Sequence, residues 1–193
     1  IDQIMVNLAE EKGWKFAICS FENEPRLHIA KLISKHFAKP FFTGPSPRLT
    51  PDELERGKDF VREHFSFLYQ NDGSMATIDG IIERLKIAVM RHGIRGAIID
   101  PYNYIQKNGD MSETDCKVPA PKGYDISGSA AWFAKADVGL SVHRPDPVNN
   151  AVSEIHVWKC RFSWVGKQGV ADLYFSPVTS RYSIGGESDN FPS

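Results

Sequence analysis

The sequence predicts an α/β fold: a mostly parallel central sheet with helices on both faces, followed by an antiparallel C-terminal portion. Three observations carry this. Short apolar runs alternate with longer stretches of helical apolar spacing over the first hundred residues. Glycine, proline and threonine punctuate those stretches where helices start and stop. The last third exchanges this alternation for apolar runs separated by turns, as in antiparallel ribbons.

Each element follows from its residues. Ile1, Ile4, Met5, Leu8 and Ala9 recur at helical spacing, and Gly13 ends that helix. Trp14 to Cys19 is a short, mostly apolar run, as expected of a strand covered on both faces. Pro25 suits the first turn of a second helix, which carries Leu27, Ile29, Ala30, Leu32, Ile33 and Phe37. Thr50-Pro51-Asp52-Glu53 is a capping-box start for a third, with Leu54, Phe60 and Val61 as its buried stripe. Phe65 to Tyr69 is a strand candidate. The next helix, about Thr77 to His92, is expected to turn Ile78, Ile81, Ile82, Leu85, Ala88 and Val89 inward, with Gly93 as its stop. Ile94 to Ile99 is then a strand ending in Asp100. Gln106 to Tyr124 reads as loop, Gly128 to Ala136 as helix and Val138 to Val142 as strand. Ile155 to Phe162 and Ala171 to Phe175 form a ribbon about the turn Val165 to Gly169.

Length and composition fit one domain of 193 residues. With 41% apolar and 11% aromatic residues it can bury a core. The net charge of -1 supplies no global basic field, so phosphate binding must use local patches. The balance is that of a cytoplasmic enzyme. Cys19, Cys116 and Cys160 are too few and too scattered for a disulfide framework. His156 and Cys160 can share a strand face, with His143 elsewhere, which is thin support for zinc. No run of eighteen apolar residues exists to cross a membrane. The chain opens inside a helical pattern, so sequence preceding Ile1 is expected.

Ligand chemistry in parallel sheets sits beyond the carboxyl ends of strands, where Glu22 and Asp100 both fall. An aspartate there can hold magnesium at a nucleotide phosphate, or cap a turn. A glutamate beyond the adjacent strand can polarise an attacking water, or serve as a favourable charge before the helix at Pro25.

With these residues in place, the chain resembles the helicase domain of the DnaB, Twinkle and phage primase–helicase family. Trp14 to Glu22 resembles the segment ending in that family's catalytic glutamate. Ile98-Ile99-Asp100-Pro101-Tyr102-Asn103 resembles its Walker B strand. Gly128-Ser129-Ala130-Ala131 with Lys135-Ala136-Asp137, and then Lys159-Cys160-Arg161, resemble its later motifs. The order is kept over nearly the whole chain. The resemblance implies a RecA-like ATPase core and an ATP-dependent, 5′-to-3′ DNA-unwinding motor in replication. ATP (or another NTP) and Mg2+ would be its cofactors, and single-stranded DNA, a hexameric ring and a primase its partners. It assigns Glu22 as general base, Asp100 to the magnesium-bound nucleotide, Arg161 as a finger reaching a neighbour's site, and Lys159 to the same phosphates. Arg181 and Tyr182 would border the nucleotide base, or serve in packing or a surface ion pair. Lys107, Asn108, Gly109, Lys117, Lys122, Gly123 and Ser127 would line the path of single-stranded DNA, or be a solvated loop.

Two departures qualify the resemblance. The Gly-x-x-x-x-Gly-Lys-Ser/Thr phosphate loop is absent from these residues; the family carries it ahead of the position of Ile1. The stretch Met111 to Tyr124 is shorter than the family's helix and strand there. The expectation is therefore one RecA-like domain over 1–193, truncated before residue 1 and lacking a segment near 115–118, with little ATP hydrolysis on its own. The competing readings are another RecA-like ATPase (a recombinase or regulatory ATPase) and a non-catalytic nucleic-acid or protein interaction module.

Overall fold

The structure is a computed structural model that describes residues 1–20, 24–44, 46–68, 77–100, 135–145 and 152–185. The chain divides into two compact units. One comprises Ile1–Gly109 with Pro177–Arg181, the other Asp110–Ser176 with Tyr182–Ser193.

The first unit holds α1 (Asp2–Lys12), β1 (Phe16–Ser20), α2 (Pro25–Phe37), α3 (Pro51–His64), β2 (Phe65–Phe67), α4 (Ile78–His92) and β3 (Gly96–Asp100). Local chemistry sets the helix ends. Gly13 takes a left-handed φ of 62° and donates its N–H to the Ala9 carbonyl, while the Trp14 N–H donates to the Leu8 carbonyl, closing α1. Gly93 does the same for α4 at φ 65°, donating to the Val89 carbonyl. At α3 the capping box forms as the sequence predicts. Glu53 N–H donates to Thr50 Oγ1 at 3.2 Å, and Thr50 N–H donates to Glu53 Oε2 at 2.9 Å.

The three strands are parallel in the order β2-β1-β3. β1 is central, and Phe16, Ala17, Ile18 and Cys19 are all buried, which explains the continuous apolar run. Strand alternation divides them between two layers. Phe16 and Ile18 face a core made by Met5, Val6 and Ala9 of α1, Leu32 and Ile33 of α2, and Val61 of α3. Ala17 and Cys19 pack with Ile81 and Ala88 of α4 and with Leu85. Helices thus cover both faces. Close approach demands small residues: a Cβ at Gly57 would stand 2.6 Å from Ile33 Cγ2, so α3 lies directly on α2.

One expectation about α4 is corrected. Ile81, Leu85 and Ala88 form its inward stripe, whereas Ile82 and Val89 are exposed at 43% and 49%. Positions 82 and 89 each follow an inward residue by one, which turns them about 100° around the helix. The Ile78 side chain lies outside the described set.

The second sheet runs in the order β4 (Val138–His143), β5 (Val152–Cys160), β6 (Gly169–Ser176), β7 (Arg181–Ser183), with β4–β5 and β5–β6 antiparallel; β4 to β6 lie in the second unit. The last strand, β7 (Arg181–Ser183), was not anticipated; three residues carry too little pattern. β4 and β5 are joined in register except at Gly139/Leu140, where Trp158 is the extra residue of a bulge. The Trp158 ring fills the place a Cβ at Gly139 would need, and its indole Nε1 donates to Ser141 Oγ at 3.0 Å. Among the described residues no helix is long and apolar enough to cross a membrane.

Candidate functional site

In the first unit, the geometry puts Asp100 at the carboxyl end of β3, level with Ser20 at the end of β1. The two strands are parallel neighbours, so both chain segments leave the sheet at the same edge. This is the edge where ligands bind in such sheets. Asp100 is half-buried there. Glu22 follows Ser20 by two residues and lies outside the described residues, as do the DNA-contact candidates Lys107, Asn108, Gly109, Lys117, Lys122, Gly123 and Ser127.

In the second unit, Lys159 sits near the end of β5, paired with Gly139 across the ribbon. Arg161 follows the strand. Its guanidinium meets Asp137 Oδ1 at 2.8 Å, and its N–H donates to the Asp137 carbonyl, also at 2.8 Å. The pair is well exposed, with 43% of the Arg161 side chain and 58% of that of Asp137 open to solvent. Sequence reading missed Asp137 as a partner, although it stands within the quoted motif. Tyr182 is exposed at 38% and its ring lies 5.0 Å from that of Phe175.

Arg181 belongs with the first unit, and its surroundings there are specific. Its guanidinium donates to the carbonyls of Lys35 and His36 at the end of α2, and reaches Glu10. Helix C-terminal carbonyls have no intrahelical donor, so a cation is well placed there.

The three chemistry-bearing residues that sequence reading did not assemble are His143, Glu154 and His156. The expectation that His143 lies apart from His156 is corrected: His143 and Glu154 are direct partners across the β4–β5 ladder, and His156 is two residues further along β5. The Glu154 carboxylate accepts from His156 Nε2 at 2.7 Å and from His143 Nδ1 at 3.2 Å. These hydrogen bonds, that of His156 foremost, hold its carboxyl below the usual carboxylate range. The pattern Glu-x-His after a strand ending in His was the available signal. Cys160 is not part of this group; its thiol donates to the Phe162 carbonyl at 3.4 Å. Cys19 is buried, which pushes its thiol pKa up.

The architecture has known counterparts. No family model matches the chain. The solved structure "ATPase Domain of G40P" superposes with a TM-score of 0.71 at 13% identity, covering 96% of this chain and 80% of that one. A second, "The Structure Of A DnaB-Like Replicative Helicase And Its Interactions With Primase", gives 0.66 at 13% identity over 94% of this chain and 55% of that one. The fold is therefore the RecA-like α/β fold, with parallel and antiparallel sheet and flanking helices, of DnaB-like ATPase domains. In sequence, the chain is 36% identical to the Twinkle homolog protein, chloroplastic/mitochondrial, of Arabidopsis thaliana, across 95% of its own length. The chain is thus homologous, at family level, to the RecA-like ATPase domain of the DnaB, Twinkle and phage primase–helicase family. The chain spans about a third (32%) of that relative's length. This comparison also corrects the cytoplasmic location expected above, because the relative is by name a chloroplast and mitochondrial protein.

Proposed function

We propose that the chain is the later part of the motor domain of a ring helicase that hydrolyses ATP (or another NTP) to move along single-stranded DNA and open the duplex at a replication fork. The single observation carrying this is the 36% identity over 95% of the chain to a Twinkle homolog. On this reading residues 1–193 are one domain, and the phosphate loop and a segment near 115–118 come from sequence outside these residues. A primase, as a domain or a separate protein, is the expected partner; one structural relative is a DnaB-like helicase described by its interactions with primase.

The residues suit the chemistry expected of them. Asp100 offers a carboxylate oxygen at the carboxyl edge of a parallel sheet, the donor type magnesium takes. Bound magnesium would offset charge on the nucleotide phosphates. Glu22 is proposed to orient the attacking water. Arg161 is exposed enough to serve an adjacent subunit, where a guanidinium would offset charge on the γ-phosphoryl group; Lys159 would assist. A closed ring supplies such a neighbour to every subunit.

The test is DNA-stimulated ATP hydrolysis by the full-length protein carrying Glu22→Gln or Arg161→Ala. Loss in both is expected, with Arg161→Ala rescued by mixing with subunits that lack their own phosphate loop but keep the arginine. Unchanged hydrolysis in both variants refutes the assignments.

A further inference from the structure

We propose that His143, Glu154 and His156 form a binding site for a divalent transition metal of the zinc class, on one face of the β4–β5 ribbon. The three offer one ligand atom each, and all of these lie within 4.8 Å of one another. A tetrahedral zinc with bonds of roughly 2.0–2.1 Å needs its ligand atoms about 3.3 Å apart. The observed separations of 2.7 and 3.2 Å to Glu154 already stand near that value, so small side-chain rotations suffice.

The backbone fixes the arrangement. His143 and Glu154 are paired residues of an antiparallel ladder, and His156 shares their face by strand alternation. The indole of Trp158 bonded to Ser141 ties the two strands together on the same face. A site on strands holds its ligands more firmly than one on loops.

A further observation favours a cation. Glu154 is also paired, on its other side, with Asp172 of β6, so two carboxylates stand directly opposite each other. Such like-charge pairs are unfavourable unless a positive charge intervenes. Two imidazoles with one carboxylate select zinc, cobalt, nickel or copper over magnesium or calcium. On binding, each imidazole carries its proton on the nitrogen facing away, so the nitrogen now donating to Glu154 presents a lone pair. Each of the three side chains is about a quarter to a third exposed (26%, 30% and 27%), which leaves an access path and room for a water ligand.

Cobalt(II) and zinc(II) titrations of the purified protein test this. The expected result is one equivalent bound, a cobalt spectrum without thiolate-to-metal charge transfer, and a zinc-dependent rise in Tm reversed by EDTA. Affinity should fall at least about tenfold in Glu154→Gln and in the double variant His143→Asn/His156→Asn. The Tm of these variants in EDTA, close to that of the parent, shows that they fold, and the zinc-dependent increment is then the readout. Unchanged affinity in the double variant, a thiolate band implicating the cysteines, or no binding to the parent protein each overturns the site.

Discussion

The contact between Arg161 and Asp137 makes a quantitative demand on the proposed motor. If Arg161 works on a nucleotide held by a neighbouring subunit, its guanidinium must leave Asp137 for part of each cycle. The pair is well exposed on both sides, so its attraction is screened and worth about 0.2–1 kcal/mol. Breaking it therefore slows engagement by at most about fivefold, since 1 kcal/mol is about that factor at room temperature. An arginine finger contributes about a thousandfold or more to turnover. The main-chain bond from Arg161 N–H to the Asp137 carbonyl survives any change of the side chain and keeps the segment in place. Asp137→Asn should thus alter kcat of DNA-stimulated ATP hydrolysis by less than about fivefold in either direction, while Arg161→Ala and Arg161→Lys both lose most of it. Steady-state hydrolysis on a saturating single strand, with ring assembly checked by gel filtration, gives the answer. A collapse in Asp137→Asn equal to that in Arg161→Ala would refute the reasoning, because the ion pair itself would then be the working element.

Two further outcomes concern the scaffold. The carboxyl of Glu53 is held down at about 2 by hydrogen bonds from Lys39 first and from the Thr50 main chain second. Its folded pKa is depressed, so its contribution to stability is full above the unfolded value of about 4.3 and is lost as pH falls from there towards about 2. Urea unfolding of Glu53→Gln should therefore lack part of the acid slope in that window, and an identical slope to the parent would exclude the Glu53 carboxyl as its source. Replacing Arg181 by Met removes the donors to the last carbonyls of α2, for a loss of about 1–2 kcal/mol in unfolding free energy. Arg181→Lys, a single point charge, should recover less than half of it, and an unchanged midpoint in both would show that water replaces the guanidinium at no cost.

Much of the first unit was legible because its signals are local. Gly13, Pro25 and the Thr50-Pro51-Glu53 run act within one helical turn, and the apolar run of β1 is continuous because the strand is covered twice. α4 was harder: its apolar residues are spread widely enough around the helix to suit several faces, and packing against Ala17 and Cys19 decides which is buried. The cluster of His143, Glu154 and His156 escaped because it depends on pairing residues eleven to thirteen apart, which only the ladder register settles. The same holds for Arg161 and Asp137, 24 residues apart, and for Arg181, which meets the end of α2 from some 145 residues away. For the candidate site, the sequence placed Asp100 at a strand end; the level match with Ser20 needed the sheet.

The bulge at Trp158 has a consequence for how this sequence can diverge. Its ring occupies the volume that any side chain at Gly139 would claim. Neither position can drift alone: a larger residue at 139 requires a smaller one at 158, and a smaller one at 158 opens a void unless 139 grows. The extra residue also sets the phase of the strand: Lys159 stands three residues beyond His156, yet it pairs with Gly139 two residues before the His156 partner Ser141, so both keep the same face of the ladder. Homologous chains should therefore vary at these two positions together, and a chain with a side chain at 139 should lack the bulky ring at 158.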